Sequence, residues 1–406
     1  MEVGNLDFVK EAFSIQDKLV EFRRYLHENP EIGMELPKTT DFVKKVLSEM
    51  GVEAKECGKS GIVANIGGKK PGRTFLLRGD MDALPIIEET ELSYKSQNEY
   101  MHACGHDFHT SMLLGAAYLL KKVEDSIPGV VKLMFQPGEE IFEGARSMIE
   151  GGILENPHVD AAMMIHVRPG VDFESGTVIT TNSLEAAAAS DWFRINIYGK
   201  GGHGAMPEKS IDPLNIASNI FTSLQTINSR EVHPSEFVVL TIGEIHGGKA
   251  ANVIPDSAYM SGTVRTYDKD VRNFVKERMT KIAANIGDAF RAKVEVEFSN
   301  GCPSVINNKD LLDGINKMLP EIVGEAMVFN ASDQPKLRLE RMSGSEDFAF
   351  ISEEVPSVML RLATGRSSEG YSYPQHHPKA LFDEKALSIG AGLYASIAMK
   401  WLGENS

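Results

Sequence analysis

An alternation of strands and helices along the first half of the chain is the feature that most constrains the fold. Apolar runs typical of buried strands occur at 74–78, 130–135 and 161–165, and helical patterns at 108–123 and 144–150 separate them. Strands that alternate with helices predict a parallel or mixed sheet with helices on both faces. In such sheets, ligand sites form just beyond the carboxyl ends of the strands.

The pattern changes near residue 190, where the order becomes strand, helix, strand, strand, helix, strand. These segments are 191–198, 212–228, 237–245, 258–266, 271–290 and 293–298. That order is the ferredoxin-like arrangement. The α/β pattern then resumes, and 406 residues are too many for one ordinary core. We therefore predict an α/β mixed-sheet domain at 1–188 and 301–406, interrupted by an inserted α+β domain at 189–300.

Composition excludes several classes of partner. The net charge of −15 argues against nucleic acid and gives no reason to expect attraction to anionic membranes. The stretch from Met1 to Asp7 shows no basic segment followed by an apolar one, so no secretory signal is expected. Three cysteines are few and odd in number, which fits a reducing compartment. We expect a cytoplasmic protein.

Polar side chains cluster where the predicted strands end. They are Asp80 and Asp82 after the first strand, Glu139 and Glu140 after the second, and His166 after the third. Any one pair is explained equally well by helix caps and loop polarity. All of them together, at one edge of a sheet, indicate a site.

The stretch from Met101 to His109 lies between the first two of these clusters. Cys104 and His106 are two positions apart, so both reach one ion only where the backbone turns. A thiolate and an imidazole suit zinc or a similar divalent ion. The candidate ligands are Cys104, His106, Glu139, Glu140, His166 and the pair His376–His377. They are too many for one tetrahedral ion, and two ions that share a bridging ligand would use them better.

At these residues the chain resembles the di-metal aminoacylase and amidohydrolase group, which includes N-acyl-amino-acid amidohydrolases, hippurate hydrolases and auxin-conjugate hydrolases. The matching motifs are 78–85 (RGDMDALP), the Cys104 stretch, 136–140 (QPGEE), 201–205 (GGHGA), 252–255 (NVIP), 344–348 (GSEDF) and 377–384. They keep their order over nearly the whole chain. The resemblance implies a di-metal exopeptidase-like catalytic domain with an inserted lid or dimerisation domain.

The resemblance also implies a ligand set. Cys104 would bridge two metals as a thiolate, with His106 and His166 on one ion and Glu140 and His377 on the other. The ions would be Mn²⁺ or Zn²⁺, with Co²⁺ or Ni²⁺ as substitutes in vitro. A bridging thiolate is reasonable because two dications hold a cysteine deprotonated well below its usual pKa of roughly 8.5.

Two acids near the ligands receive catalytic roles. We expect Glu139 to be the general base, because it neighbours a ligand and can contact the attacking water without itself being consumed as a ligand. A second metal ligand is the alternative role for Glu139. Asp82 is expected to orient His106, since carboxylates commonly hold ligating histidines.

The inserted domain supplies further expectations. In the resembled family a histidine placed as His203 is here reaches the active site from the lid, often of the partner subunit, and stabilises the oxyanion. Asn252 is expected to hold the substrate carboxylate or the scissile carbonyl, Arg265 to hold the carboxylate, and Gly344 to give backbone contacts. Arg168, which follows His166 by two residues, departs from the family pattern and is expected to alter substrate preference.

The resulting hypothesis is a metal-dependent hydrolase that cleaves the amide bond of N-acyl amino acids or small peptide-like substrates. Metal-activated water attacks the carbonyl, and the enzyme acts as a homodimer through the inserted domain or as a higher oligomer. A small dipeptidase or carboxypeptidase of the same mechanism is one alternative. A cysteine-nucleophile amidase that uses Cys104 is another, and an inactive metal-stabilised binding protein is a third.

Overall fold

The computed structural model describes residues 7–406. The segment 1–6, which holds most of the stretch read for a secretory signal, lies outside the described residues. The helices are α1 (Phe8–Phe13), α2 (Gln16–Glu28), α3 (Pro37–Glu49), α4 (His106–Lys121), α5 (Gly144–Glu150), α6 (Pro213–Thr226), α7 (Lys269–Ala289), α8 (Lys309–Val323), α9 (Ala349–Glu354) and α10 (Ala386–Glu404). In this described part, no helix is long and apolar enough to cross a bilayer.

The strands are β1 (Ala54–Glu56), β2 (Ile62–Gly67), β3 (Thr74–Asp80), β4 (Val130–Gln136), β5 (Ala161–Arg168), β6 (Val178–Thr180), β7 (Glu185–Ala187), β8 (Ala189–Tyr198), β9 (Gly202–His203), β10 (Val238–Gly247), β11 (Val253–Ile254), β12 (Ser257–Thr266), β13 (Lys293–Cys302), β14 (Val305–Ile306), β15 (Val328–Asn330) and β16 (Ser357–Ala363).

The chain divides into two compact units. The first comprises the chain up to Ala186, Ile306–Arg341 and Asp347–Ser406, and the second comprises Ala187–Val305 and Met342–Glu346. The predicted insertion was 189–300. The second unit thus begins two residues earlier, extends to Val305 and takes in a short segment from the C-terminal half, which local sequence patterns do not indicate.

An eight-stranded sheet forms the centre of the first unit, in the order β1-β2-β4-β3-β5-β16-β6-β15. The β3–β4, β3–β5 and β5–β16 pairs are parallel, whereas β2–β4 is antiparallel. The predicted mixed sheet is therefore confirmed. Its four central parallel strands end at Asp80, Gln136, Arg168 and Ala363, so the side chains that follow them gather at one edge.

The central strands are buried along their length because helices cover them. Every residue of β3 is buried, as is typical of parallel strands with both faces covered. The helices α4 and α10 are buried nearly all round. On α10, the Tyr394 hydroxyl donates to the Arg78 carbonyl (2.7 Å) and accepts from the Ile165 amide (2.8 Å). This contact fixes α10 against β3 and β5 close to their carboxyl ends.

The second unit has the order β8, α6, β10, β12, α7, β13, with a four-stranded antiparallel sheet arranged β10-β12-β8-β13. Alternate residues of β8 point to opposite faces. Phe193, Ile195 and Ile197 form a core with α6 and α7. Trp192 and Arg194, which alternate with them along the strand, are exposed. The ribbon of β9 and β11 is an addition to this arrangement.

One sequence-predicted element is divided in two. Apolar positions at helical spacing predict one helix over 7–28, but this stretch forms the two helices α1 and α2, which are separated at Ser14–Ile15. The Ser14 hydroxyl donates to the Glu11 carbonyl at 2.6 Å. Serine side chains compete in this way for helical carbonyls and favour the ends of helices.

Candidate metal centre

The Cys104 stretch turns sharply where α4 begins. Gly105 has a φ of +95°, a conformation that side chains other than glycine rarely adopt. A Cβ here would lie 2.5 Å from Val167 Cγ2 and 2.9 Å from Phe382 Cε1. Because glycine permits this turn, Cys104 and His106 on either side of it direct their side chains to one place.

The first ligand group is Cys104, His106 and His166, whose ligand atoms all lie within 4.8 Å of one another. All three residues are buried, and Cys104 Sγ is 3.8 Å from His166 Nε2. His106 Nδ1 lies 2.8 Å from the Asp82 carbonyl, and His166 Nδ1 lies 2.8 Å from the Val167 carbonyl. Each Nδ1 must carry the proton to donate there, so each Nε2 offers its lone pair to the site.

The second ligand group is Cys104, Glu140 and His376. His376 Nε2 lies 3.3 Å from Cys104 Sγ and 3.5 Å from Glu140 Oε1. The His376 amide donates to the Ala103 carbonyl at 2.9 Å, and its φ is +64°. Cys104 belongs to both groups, as a ligand that bridges two ions would.

The structure does not bring His377, the ligand predicted from the sequence, into either group. Its ring stacks on Tyr373 at a centroid distance of 4.3 Å, and its Nδ1 accepts from the Lys379 amide at 3.0 Å. The left-handed backbone at His376 turns the two neighbouring rings in different directions. We therefore replace His377 by His376 in the proposed ligand set.

Asp82 lies against His106 and contacts it mainly through the backbone. The Asp82 carbonyl accepts the hydrogen bond of His106 Nδ1 at 2.8 Å, and the Asp82 carboxylate Oδ1 lies 3.5 Å from the same nitrogen. Its carboxylate accepts from the Glu139 amide at 3.0 Å and from the Glu140 amide at 3.2 Å. One residue therefore positions both a ligating histidine and the loop that carries the two glutamates.

The chemistry of this cluster fits divalent ions. In the described residues 7–406, His106 Nε2 and Glu140 Oε1 are buried without a hydrogen-bond partner. Burial raises the pKa of Glu140 to about 7. Burial, with a contribution from Glu140, raises the pKa of the Cys104 thiol well above its usual value. Divalent cations would satisfy the two unpartnered atoms and hold the thiol and the carboxyl deprotonated.

A buried network that sequence reasoning did not identify supports the strand ends. Arg78 donates to Asp80 (2.8 Å), Gln136 (3.0 Å) and Asp347 (3.0 Å). His109 Nε2 accepts from the Val167 amide at 2.9 Å, so its Nδ1 carries the proton that it donates to Asp80 at 2.5 Å. This network joins β3, β4 and β5 to α4 beside the ligands.

Gln375 is a second residue that the sequence did not indicate. Its Nε2 lies 2.8 Å from the Cys104 carbonyl and 3.5 Å from Cys104 Sγ. Because the nearby Cys104 carbonyl can only accept, the atom of the Gln375 side-chain amide that faces it is the nitrogen and not the oxygen. The two N–H groups can then serve the carbonyl and the sulfur, which places a donor against the bridging thiolate.

Glu139 lies beside the ligands. Its side chain is 6% exposed, and Oε2 is 3.9 Å from His106 Nε2. Its amide is held by Asp82, as described above. The position is compatible with either of the roles expected from the sequence, a general base or a further ligand.

His203 and Asn252 lie together in the second unit. His203 is the last residue of β9 and Asn252 immediately precedes the paired strand β11, and the Gly204 amide donates to the Asn252 carbonyl at 2.9 Å. His203 is exposed, and its Nδ1 accepts from the Ala205 amide at 3.0 Å. The neutral ring then carries its proton on Nε2, which is a donor available at the surface of this unit.

Arg265 and Gly344 also lie close together in the second unit. Arg265 Nη1 donates to the Ser345 hydroxyl at 2.9 Å and to the Ser343 carbonyl at 3.2 Å. The Gly344 carbonyl accepts from the Ala188 amide at 3.0 Å. The contacts of Arg265 thus hold the segment that contains Gly344, in addition to any part in substrate binding.

A thiolate shared by two ligand groups, one of them fully buried, at the carboxyl edge of a mixed sheet defines the class of binuclear metal hydrolases. The sequence profile of Peptidase family M20/M25/M40 matches residues 76–400, and the chain belongs to this family. It is a metal-dependent amidohydrolase, as the motifs predicted.

Relatives and solved structures match over nearly the whole chain. N-acetyl-L-cysteine deacetylase of Bacillus subtilis (strain 168) is 39% identical and covers 97% of this chain and 90% of its own length. Thermostable carboxypeptidase 1 of Saccharolobus solfataricus is 38% identical, with 95% and 96% covered. A dinuclear metal-binding peptidase of the M20 family from Bacillus subtilis has a TM-score of 0.81 at 32% identity, with 97% and 100% covered.

Proposed function

We propose that this protein hydrolyses the amide bond of N-acyl amino acids with two divalent ions, Mn²⁺ or Zn²⁺. The observation that carries the proposal is the sharing of Cys104 between the groups Cys104–His106–His166 and Cys104–Glu140–His376. The named relatives include an N-acyl amino acid deacetylase, which supports the substrate class.

The residues divide the chemistry among them. Bound ions supply Lewis-acid polarisation of the amide carbonyl and acidify water. Glu139 takes the proton of the attacking water and delivers it to the leaving amine nitrogen. Asp82 keeps Glu139 in place through its amide. His203 donates from Nε2 to the oxygen that becomes negative during attack.

The test of this proposal is Glu139→Gln, which keeps the size of the side chain and removes the base. We expect kcat for an N-acetyl amino acid to fall by about 10²–10⁴-fold, with two ions per chain retained in metal analysis. Near-normal turnover would contradict the assignment of the base. Loss of an ion would show that Glu139 is a ligand instead.

A carboxypeptidase of the same mechanism is the second candidate, because thermostable carboxypeptidase 1 is nearly as similar to this chain as the deacetylase is. Assays of N-acetyl, N-benzoyl and dipeptide substrates with defined metals separate the two. A cysteine-nucleophile amidase is disfavoured, because reactive cysteines need a lowered thiol pKa and burial raises that of Cys104. Activity that survives a chelator would support the cysteine-nucleophile mechanism instead.

We also propose a homodimer through the second unit. The edge strand β10 leaves its outer edge unpaired in the four-stranded sheet of this described unit, and such edges are ready to pair with another chain. Light scattering of the intact protein tests the oligomeric state.

The three cysteines form no disulfide and are all buried, which supports a cytoplasmic location.

A further inference from the structure

The last residue of β5, Arg168, is an arginine whose charge has no partner in the described part of the chain. Within residues 7–406, the Arg168 guanidinium makes no hydrogen bond, ion pair or ring contact, although its backbone carbonyl accepts from the Thr364 amide at 3.0 Å. The side chain is nevertheless partly buried.

Two fully buried arginines of the first unit, Arg23 and Arg78, are paired with carboxylates. Arg23 contacts Asp107 at 2.8 Å, and Arg78 contacts Asp80 and Asp347 at 2.8 and 3.0 Å. Withdrawing a charge from water is costly unless an opposite charge or hydrogen-bond acceptors compensate. Arg168 differs from Arg23 and Arg78, because no residue among 7–406 supplies a compensating anion for it.

The position of Arg168 relates it to the metal centre. Side chains two residues apart on a strand point to the same face, roughly 7 Å apart, so Arg168 lies on the face of β5 that carries the ligand His166. On the adjacent parallel strand β16, the residue in register with Arg168 is Ala363. The methyl side chain of Ala363 is too small to cover the Arg168 guanidinium.

We propose that Arg168 is a specificity-determining residue that binds a carboxylate of the substrate. This inference rests on the proposed function, since it takes the adjacent metal centre as the place of amide hydrolysis. The planar guanidinium favours bidentate binding of a carboxylate. The substrate class is then an N-acyl amino acid that has a carboxylate roughly 7 Å from the side chain of the ligand His166.

That carboxylate has three possible sources, and matched substrate pairs distinguish them. N-succinyl-L-alanine and N-butanoyl-L-alanine differ by a carboxylate on the acyl group. N-acetyl-L-glutamate and N-acetyl-L-glutamine differ in the side chain. N-acetyl-L-alanine and N-ethylacetamide differ in the α-carboxylate. The ratio of kcat/KM values within each pair measures recognition of that carboxylate.

The experiment compares Arg168→Gln with Arg73→Gln, which removes the same charge from an exposed arginine of the same unit. In Arg168→Gln we expect the ratio to fall by about 10- to 100-fold in one pair, mainly through KM, as loss of a hydrogen-bonded charge pair predicts. Metal content, and kcat/KM for the member of that pair which lacks the tested carboxylate, should stay within about threefold of wild type. Arg168→Lys should restore part of the ratio.

Two outcomes overturn the inference. One is that all three ratios stay within about threefold of wild type in Arg168→Gln. The other is that Arg73→Gln lowers a ratio equally, which would indicate long-range electrostatics. If wild-type protein loaded with Mn²⁺ or Zn²⁺ hydrolyses none of the six compounds, the proposed function itself fails, and the inference fails with it.

Discussion

The metal centre of the first unit and the His203–Asn252 ribbon of the second unit are built in opposite ways. In the first, ligand side chains from four segments converge, all of them buried or partly buried except His376, and hydrogen bonds from distant residues fix them. In the second, the side chains are exposed and their hydrogen bonds are local, such as Ala205 amide to His203 Nδ1. The first region has a preorganised binding geometry, whereas the second presents donors whose use depends on what binds there.

The strongest test of this contrast is removal of the shared ligand. Cys104→Ala should lose both ions and reduce activity to the uncatalysed background, because both groups need the thiolate. Cys57→Ala, at another buried cysteine outside both groups, should keep two ions. Metal analysis and the rise of Tm on adding Mn²⁺ or Zn²⁺ measure the effect, since a ligand that binds only the folded state stabilises it. Two ions in Cys104→Ala would refute the bridging role.

The adjacent histidines give the next test. His376→Ala should lose one ion and lower kcat by about 10³-fold or more, because one ion supplies several kcal/mol of transition-state stabilisation. His377→Ala should keep both ions, since its ring stacks on Tyr373 and accepts from the Lys379 amide, outside both ligand groups. Metal stoichiometry of the two variants decides between them, and the reverse result would restore the sequence-based assignment.

A change in the exposed ribbon of β9 and β11 should lower turnover without affecting metal binding or stability. His203→Ala should keep both ions and the wild-type Tm but lower kcat by about 10²–10³-fold, as expected for loss of one oxyanion donor. If His203 acts across a dimer, mixing Glu139→Gln chains with His203→Ala chains should restore part of the activity. A loss of metal in His203→Ala would show that the two regions are not separable in this way.

The fold was largely readable from the sequence where local patterns decide it. The strands at 74–78, 130–135 and 161–165 lie within β3, β4 and β5, because continuous apolar runs mark strands that are buried on both faces. The helices α3 and α8 were not predicted, although Pro37 at the start of α3 is a usual helix signal. The segment 342–346 joins the second unit only through tertiary contacts.

The sequence predicted most residues of the candidate site, but not which of their atoms make the contacts. Residue type and order indicated Cys104, His106, Glu140 and His166. The choice between His376 and His377 depends on one backbone angle, a φ of +64° at His376. The acceptor for His106 is a backbone carbonyl of Asp82, and the sequence does not distinguish a carbonyl from a carboxylate.

The smallest expected effect concerns Gln375, which refines the account of the first region. Gln375→Met keeps the length of the side chain and removes both N–H donors. Metal affinity should fall by about 10-fold, as loss of a supporting hydrogen bond predicts. In Co²⁺-loaded protein the thiolate-to-cobalt band should move to longer wavelength, because an N–H donor at 3.5 Å stabilises the sulfur lone pairs. Gln97→Met, at an exposed glutamine, should change neither quantity. An unchanged cobalt band with lowered affinity would mean that Gln375 acts only through the Cys104 carbonyl.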